Sequence, residues 1–142
     1  MISAILNIFN KKNNSKKNSK SNDLLNENCT IEHKETIHRF SLKYQSTVIG
    51  NLIFDKDEWI FEYSEWFKNQ DELQPLLDFP IVSNSYKTKD LWPFFSNRIP
   101  SFKQPKIKKY IEQHPTERNN TVKLLEMFGE YSVNNPFKLE TK

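Results

Sequence analysis

The sequence predicts an α+β domain: a small antiparallel β-meander followed by about three packed helices, behind a flexible N-terminal arm. Three observations predict it. Phe40, Leu42 and Tyr44, and again Trp59, Phe61 and Tyr63, recur at every second position, the period of half-buried strands, with the run Val48 to Phe54 between them. After residue 87 the apolar spacing changes to three and four, the period of a helix face. Residues 10–28 are almost purely polar and cannot bury enough surface to order themselves. Strands first and helices afterwards exclude a βαβ arrangement.

The arm is assigned to residues 1–35 and the folded domain to 36–142. At 142 residues the chain suffices for one domain with one core, and is short for a large catalytic fold. The N-terminal run Ile2 to Phe9 is too short and too poorly flanked for a signal peptide or a membrane span. A short amphipathic turn there could touch a partner or a membrane surface. The single cysteine, Cys29, excludes an internal disulfide framework and points to a reducing compartment. The protein is therefore expected to be cytoplasmic, with no membrane association. The net charge of +3 resides in the arm: residues 1–28 carry five lysines against two carboxylates, and the remainder is balanced. The domain is not a basic nucleic-acid binder by composition, and no direct sequence-specific nucleic-acid contact is expected.

Phe40, Leu42 and Tyr44 alternate with Ser41 and Lys43 as a first strand. Gln45-Ser46-Thr47 makes a turn into a second strand from Val48 to Phe54, and Asp55-Lys56-Asp57-Glu58 makes a polar hairpin loop. Trp59, Phe61 and Tyr63 then alternate with Ile60 and Glu62 as a third. Ser64 is suited to cap a brief helical turn holding Trp66 and Phe67. Pro75 and Pro80 bracket Leu76 to Phe79, which reads as extended. Leu91, Phe94, Phe95 and Ile99 mark one face of a helix with Asp90 as N-cap, Pro93 in its first turn and Pro100 beyond its end. A second helix turns Ile107, Tyr110 and Ile111 inward and Lys103, Lys106, Lys108 and Lys109 toward solvent. A third, from about Asn120 to Phe128, faces the core with Val122, Leu125 and Phe128 and stops at Gly129. Residues 131–137 read as an irregular or extended tail.

No catalytic set is legible, and the chain is read as a non-enzyme without cofactor or metal. Two glycines far apart, Gly50 and Gly129, leave no glycine-rich phosphate loop. His33, His38 and His114 lack ligand spacing and read as ordinary surface histidines. No carboxylate pair sits among apolar residues that would tune an acid and a base. The chemistry left is binding. Trp92 is rotated off the stripe formed by Leu91, Phe94 and Phe95, so it is either an exposed anchor near Tyr86 or a residue covered by the preceding loop. The lysine-bearing helix can meet phosphates or an acidic protein face, or be simply solvated.

Several segments, in order, resemble HipA-type serine/threonine kinases. Val48-Ile49-Gly50-Asn51-Leu52 and Trp59 to Phe67 resemble the opening strands of that family. Pro75 to Ile81, Leu91 to Pro100 and Leu124 to Gly129 are similar to its later motifs, and the likeness spans roughly residues 42–133. It covers the N-terminal subdomain only; the kinase machinery of the family lies downstream and has no counterpart here. Asn134-Asn135-Pro136 stands where the family carries a strand leading into the kinase core, so the chain is expected to be a free-standing subdomain. The resemblance implies an antitoxin that binds and inhibits a HipA-like kinase, with a helix-turn-helix DNA-binding protein joined through the complex. Trp92, Tyr86 and Phe102, with Lys106 and Lys109, are the expected partner-binding residues. Two other readings stay open: an accessory subunit that the kinase needs for activity, and a nucleic-acid-associated module using the arm and the basic helix.

Overall fold

A computed structural model describes residues 35–142. The predicted arm lies outside the described residues, apart from Glu35, as do Cys29 and His33. The elements are β1 (His38–Tyr44), β2 (Thr47–Asp55), β3 (Glu58–Tyr63), α1 (Glu65–Lys68), β4 (Ser85–Thr88), α2 (Pro93–Ser96), α3 (Pro105–Gln113), a 3-10 turn (Pro115–Glu117), α4 (Thr121–Phe128) and β5 (Phe137–Thr141). The α+β class is as predicted, but the sheet has five strands, in the order β4-β3-β2-β1-β5, and every pairing is antiparallel.

The meander forms because its apolar period matches the strand period. Register places Phe40 beside Leu52, Leu52 beside Phe61 and Phe61 beside Tyr86, so one face of the sheet is apolar across four strands. Its second hairpin turns on Lys56 and Asp57, both at positive φ, the conformation whose twist suits a two-residue hairpin. Near the first hairpin the register shifts between Leu42 and Lys43, so Ile49 is an extra, bulged residue; it is fully buried. Ser64 caps α1 as predicted, accepting a hydrogen bond from Phe67 N at 3.2 Å while its hydroxyl donates to Val48 O at 2.7 Å.

Five details differ from the sequence reading. Leu76 to Phe79 is a turn rather than an extended run, closed by Phe79 N donating to Leu76 O at 2.9 Å. Residues 85–88, on the margin of the helical pattern, are an edge strand. The helix foreseen from Asp90 shrinks to Pro93–Ser96 with Trp92 at its N-cap, and Asp90 lies ahead of it, its N–H donating to Thr88 Oγ1 at 3.3 Å. In α4 it is Leu124 that is buried beside Val122 and Leu125, while Phe128 is only half-buried. The tail contains β5, paired to β1 through Leu42–Leu139 and Tyr44–Phe137.

The core is one cluster of the inner sheet face with Phe67, Phe79, Phe95, Val122 and Leu125. At its centre Phe79 lies 4.3 Å from Phe61 and 6.0 Å from Phe95, ring to ring. The turn carrying Phe79 is tied down by Tyr63, whose hydroxyl donates to Phe79 O and accepts from Leu76 N, both at 2.8 Å. Burial pushes that hydroxyl up to about 12. The outer face of the sheet is polar, with Lys43 and Lys138 both paired to Glu140, at 2.5 and 2.9 Å.

Candidate functional site

The predicted partner-binding residues fall into two groups. Trp92 and Tyr86 meet edge-on against Phe79, at 5.0 and 5.1 Å between ring centres. Each is half-buried, so Trp92 is neither a free anchor nor a wholly covered core residue; part of the indole faces solvent. Tyr86 is held further by Ile81, whose N–H donates to its hydroxyl at 2.8 Å and whose carbonyl accepts from it at 3.1 Å.

Phe102, Lys106 and Lys109 belong to α3 and the segment before it. Phe102 is 44% exposed, with the Arg118 guanidinium 5.5 Å over its ring. The Lys106 ammonium lies 5.7 Å over Phe128, and Lys109 is exposed. No ring contact or hydrogen bond joins this group to Trp92 or Tyr86 among the described residues. α3 itself is tied to α4 and the 3-10 turn by Tyr110, which meets Phe128 edge-on and donates its hydroxyl to Glu117.

A third surface was not foreseen. The turn at 75–78, the start of α2 and the loop at 132–135 enclose a cleft of about 450 Å³. Its apolar side is Pro75, Leu76, Leu77, Pro93 and Phe94; its polar side includes Asn97, Ser132, Asn134 and Asn135. Leu77 is 98% exposed, and Val133, between two lining residues, is 99% exposed. Behind the cleft sits Arg98, only 4% exposed. Its guanidinium donates to Phe137 O at 2.9 Å and to Asn135 Oδ1 at 3.1 Å, and stacks 5.5 Å over Phe94. Burial pushes it down to about 10, so it stays charged at neutral pH. The only sequence signal was a lone arginine four residues after Phe94 in an apolar stripe.

No group of three or more His, Cys, Asp or Glu converges among the described residues to hold a metal ion. His38 is engaged by Glu126 at 2.9 Å rather than aimed at a cleft. No helix among the described residues is long and apolar enough to cross a membrane.

Compared with known families, residues 41–133, from β1 to the end of α4 and the loop beyond, match the model of the HipA N-terminal domain. The chain belongs to the HipA N-terminal domain family. The match is to that domain and not to the kinase catalytic domain, and it relates the chain to HipA-type toxin–antitoxin modules. A solved structure, the N-terminal domain of HipA toxin, is similar with a TM-score of 0.51 at 13% identity. The similarity covers 77% of this chain and 96% of that one, and at such identity it shows a shared fold alone. No curated protein matches the sequence. In this HipA N-terminal domain the motifs that carried the resemblance have structural work to do. Gly50 underlies the Phe61 ring, the Pro75–Ile81 run carries Phe79 into the core, and Phe95 of the third motif is fully buried.

Proposed function

We propose that this chain is a non-catalytic regulatory subunit that docks on a HipA-like serine/threonine kinase and holds it inactive. The observation that carries the reading is the family match over nearly the whole folded domain, joined to exposed aromatic and aliphatic groups on its surface. A HipA N-terminal domain that meets a kinase acts through surface complementarity. Such a complex would bury on the order of 1,600 Å² in total. Trp92 is the anchor of choice: its ring is braced against Phe79 and needs little ordering on binding. Tyr86, Phe102, Lys106 and Lys109 extend the contact, and a helix-turn-helix DNA-binding protein joins through the kinase.

The test is co-expression and pull-down with a HipA-like kinase from the same genome, followed by phosphorylation assays with and without this chain. The reading expects a stable complex and suppressed phosphorylation. Trp92→Ala should weaken the complex by roughly thirty- to thousand-fold, the loss of about 2–4 kcal/mol at a central anchor. Its thermal midpoint is measured alongside, since Trp92 also touches the core. Phosphorylation that rises on addition reverses the sign and makes the chain an activating subunit; no complex at all ends the reading.

A further inference from the structure

We propose that the outer face of α3, with Phe102 and Lys103 before it and Arg118 beyond the 3-10 turn, binds the phosphate backbone of a nucleic acid, independently of base sequence. This goes beyond the kinase-docking reading and does not rest on it. It gives a ligand of its own to the group that no ring contact or hydrogen bond joins to Trp92 or Tyr86 among the described residues.

The balanced charge of the folded domain hides a separation along the chain. Residues 55–78 carry eight carboxylates against two lysines, whereas residues 101–123 carry six Lys and Arg against two carboxylates. Five of those six, Lys103, Lys106, Lys108, Lys109 and Arg118, are exposed, and none forms an ion pair among the described residues. The neighbouring carboxylates do not cancel them. Glu112 shares a cleft of about 280 Å³ with two cations, Lys108 and Arg118. Glu117 is occupied by the Tyr110 hydroxyl, and Glu126 of α4 is engaged by His38 and Lys123. A separate cleft beside the 3-10 turn holds one carboxylate, Asp57, and one ammonium, Lys89. The α3 face therefore keeps a positive excess.

Its make-up fits phosphates better than an acidic protein surface. Four of the five cations are lysines, and Lys is depleted in protein interfaces, where Trp, Tyr and Arg are enriched. Trp92 and Tyr86 have that interface character; the α3 group does not. Nucleic-acid interfaces are the strongly positive kind, in which each cation neutralises a phosphate and releases a counterion. The charges are also spread rather than convergent. Lys106 lies over Phe128 on one flank of α3, Lys108 lines the cleft with Phe102 on the other, and Lys109 faces solvent between them. Such a spread suits a row of phosphates, not a single anion. Phe102 adds a ring 44% exposed with the Arg118 guanidinium 5.5 Å over it, a pair on which an unpaired base can stack. The five lysines of residues 1–28 add charge of the same sign.

The test uses the full chain without kinase, and reads the fluorescence anisotropy of a labelled single strand of mixed sequence across a salt series. Binding should weaken steeply with salt and be indifferent to base order. Lys103→Ala, Lys108→Ala and Arg118→Ala should each reduce the magnitude of the log–log salt slope by about 0.7 to 1. Phe102→Ala should weaken the single strand by roughly five- to hundredfold, and a duplex of the same sequence far less. Trp92→Ala should leave this binding unchanged, so the surface and the docking reading fail separately. Thermal melting checks that each variant is folded. No binding at low salt, or a slope unaltered by all three cation substitutions, overturns the proposal. Binding that vanishes when the five lysines of residues 1–28 become Ala, yet ignores the α3 substitutions, overturns it in favour of the N-terminal segment. Poly-glutamate that displaces the strand as well as unlabelled strand of equal charge overturns it in favour of an acidic protein.

Discussion

Gly50 lies on the inner sheet face between Leu42 and Tyr63, and a Cβ there would come within 2.6 Å of the Phe61 ring. Phe61 has no room to yield, because Tyr63, Phe79 and Phe95 surround it at ring distances of 5.1, 4.3 and 5.6 Å. Gly50→Ala should therefore cost about 1–3 kcal/mol through overpacking, read as a lower midpoint in denaturant unfolding. Its requirement is close approach rather than backbone conformation, since neither glycine has a positive φ. Tyr63 is the other residue whose role is disproportionate to its size, since one hydroxyl satisfies two backbone groups of the 76–79 turn. Tyr63→Phe strands a carbonyl and an N–H, and should lower stability by about 1–3 kcal/mol in the same measurement. The alternation of the strand announced that Tyr63 faces inward; nothing local announced what its hydroxyl would bind.

At the scale of elements, the two edge strands decide how the sheet ends. β4 is four residues long and carries a lysine, features that discourage strand addition. β5 is shielded differently: Leu139 N donates to Glu130 O at 2.8 Å, and Arg98 occupies Phe137 O. On the outer face, β5 and β1 are joined by Glu140 between Lys43 and Lys138. Those two ammonium groups hold the Glu140 carboxyl below its ordinary value of 4.5. A depressed carboxyl contributes stability above that ordinary value and loses it as pH falls through the lowered one. The gap in thermal midpoint between the parent and Glu140→Gln should thus be present at neutral pH and close progressively below about pH 4. It should also narrow in high salt, because the carboxylate is partly open to solvent. The elements themselves were largely legible where pattern and caps agree, as in β1 to β3 and α4. They were not legible where pairing partners are remote. β5 has the ordinary sequence Phe-Lys-Leu-Glu-Thr, and only β1, almost a hundred residues earlier, makes it a strand.

At the scale of the whole molecule, the last strand of the described residues returns to the first: β5 covers β1 and supplies the carbonyl that Arg98 needs. Deleting residues 137–142 removes buried Leu139, uncovers the edge of β1 and strands a buried guanidinium. The loss should be at least about 3 kcal/mol, seen as a large fall in thermal midpoint.

By itself the sequence determined the α+β class, the meander, the cap at Ser64 and the family, because each is written in neighbouring residues or in ordered motifs. It also showed Trp92 to be off the helical stripe. Only the tertiary structure decided that Trp92 and Tyr86 share Phe79, that Phe102 and the lysines of α3 form a separate group, and that Arg98 lies buried behind a cleft. Those facts depend on which distant segments touch, and contacts between segments far apart in the chain leave no local period in composition or spacing.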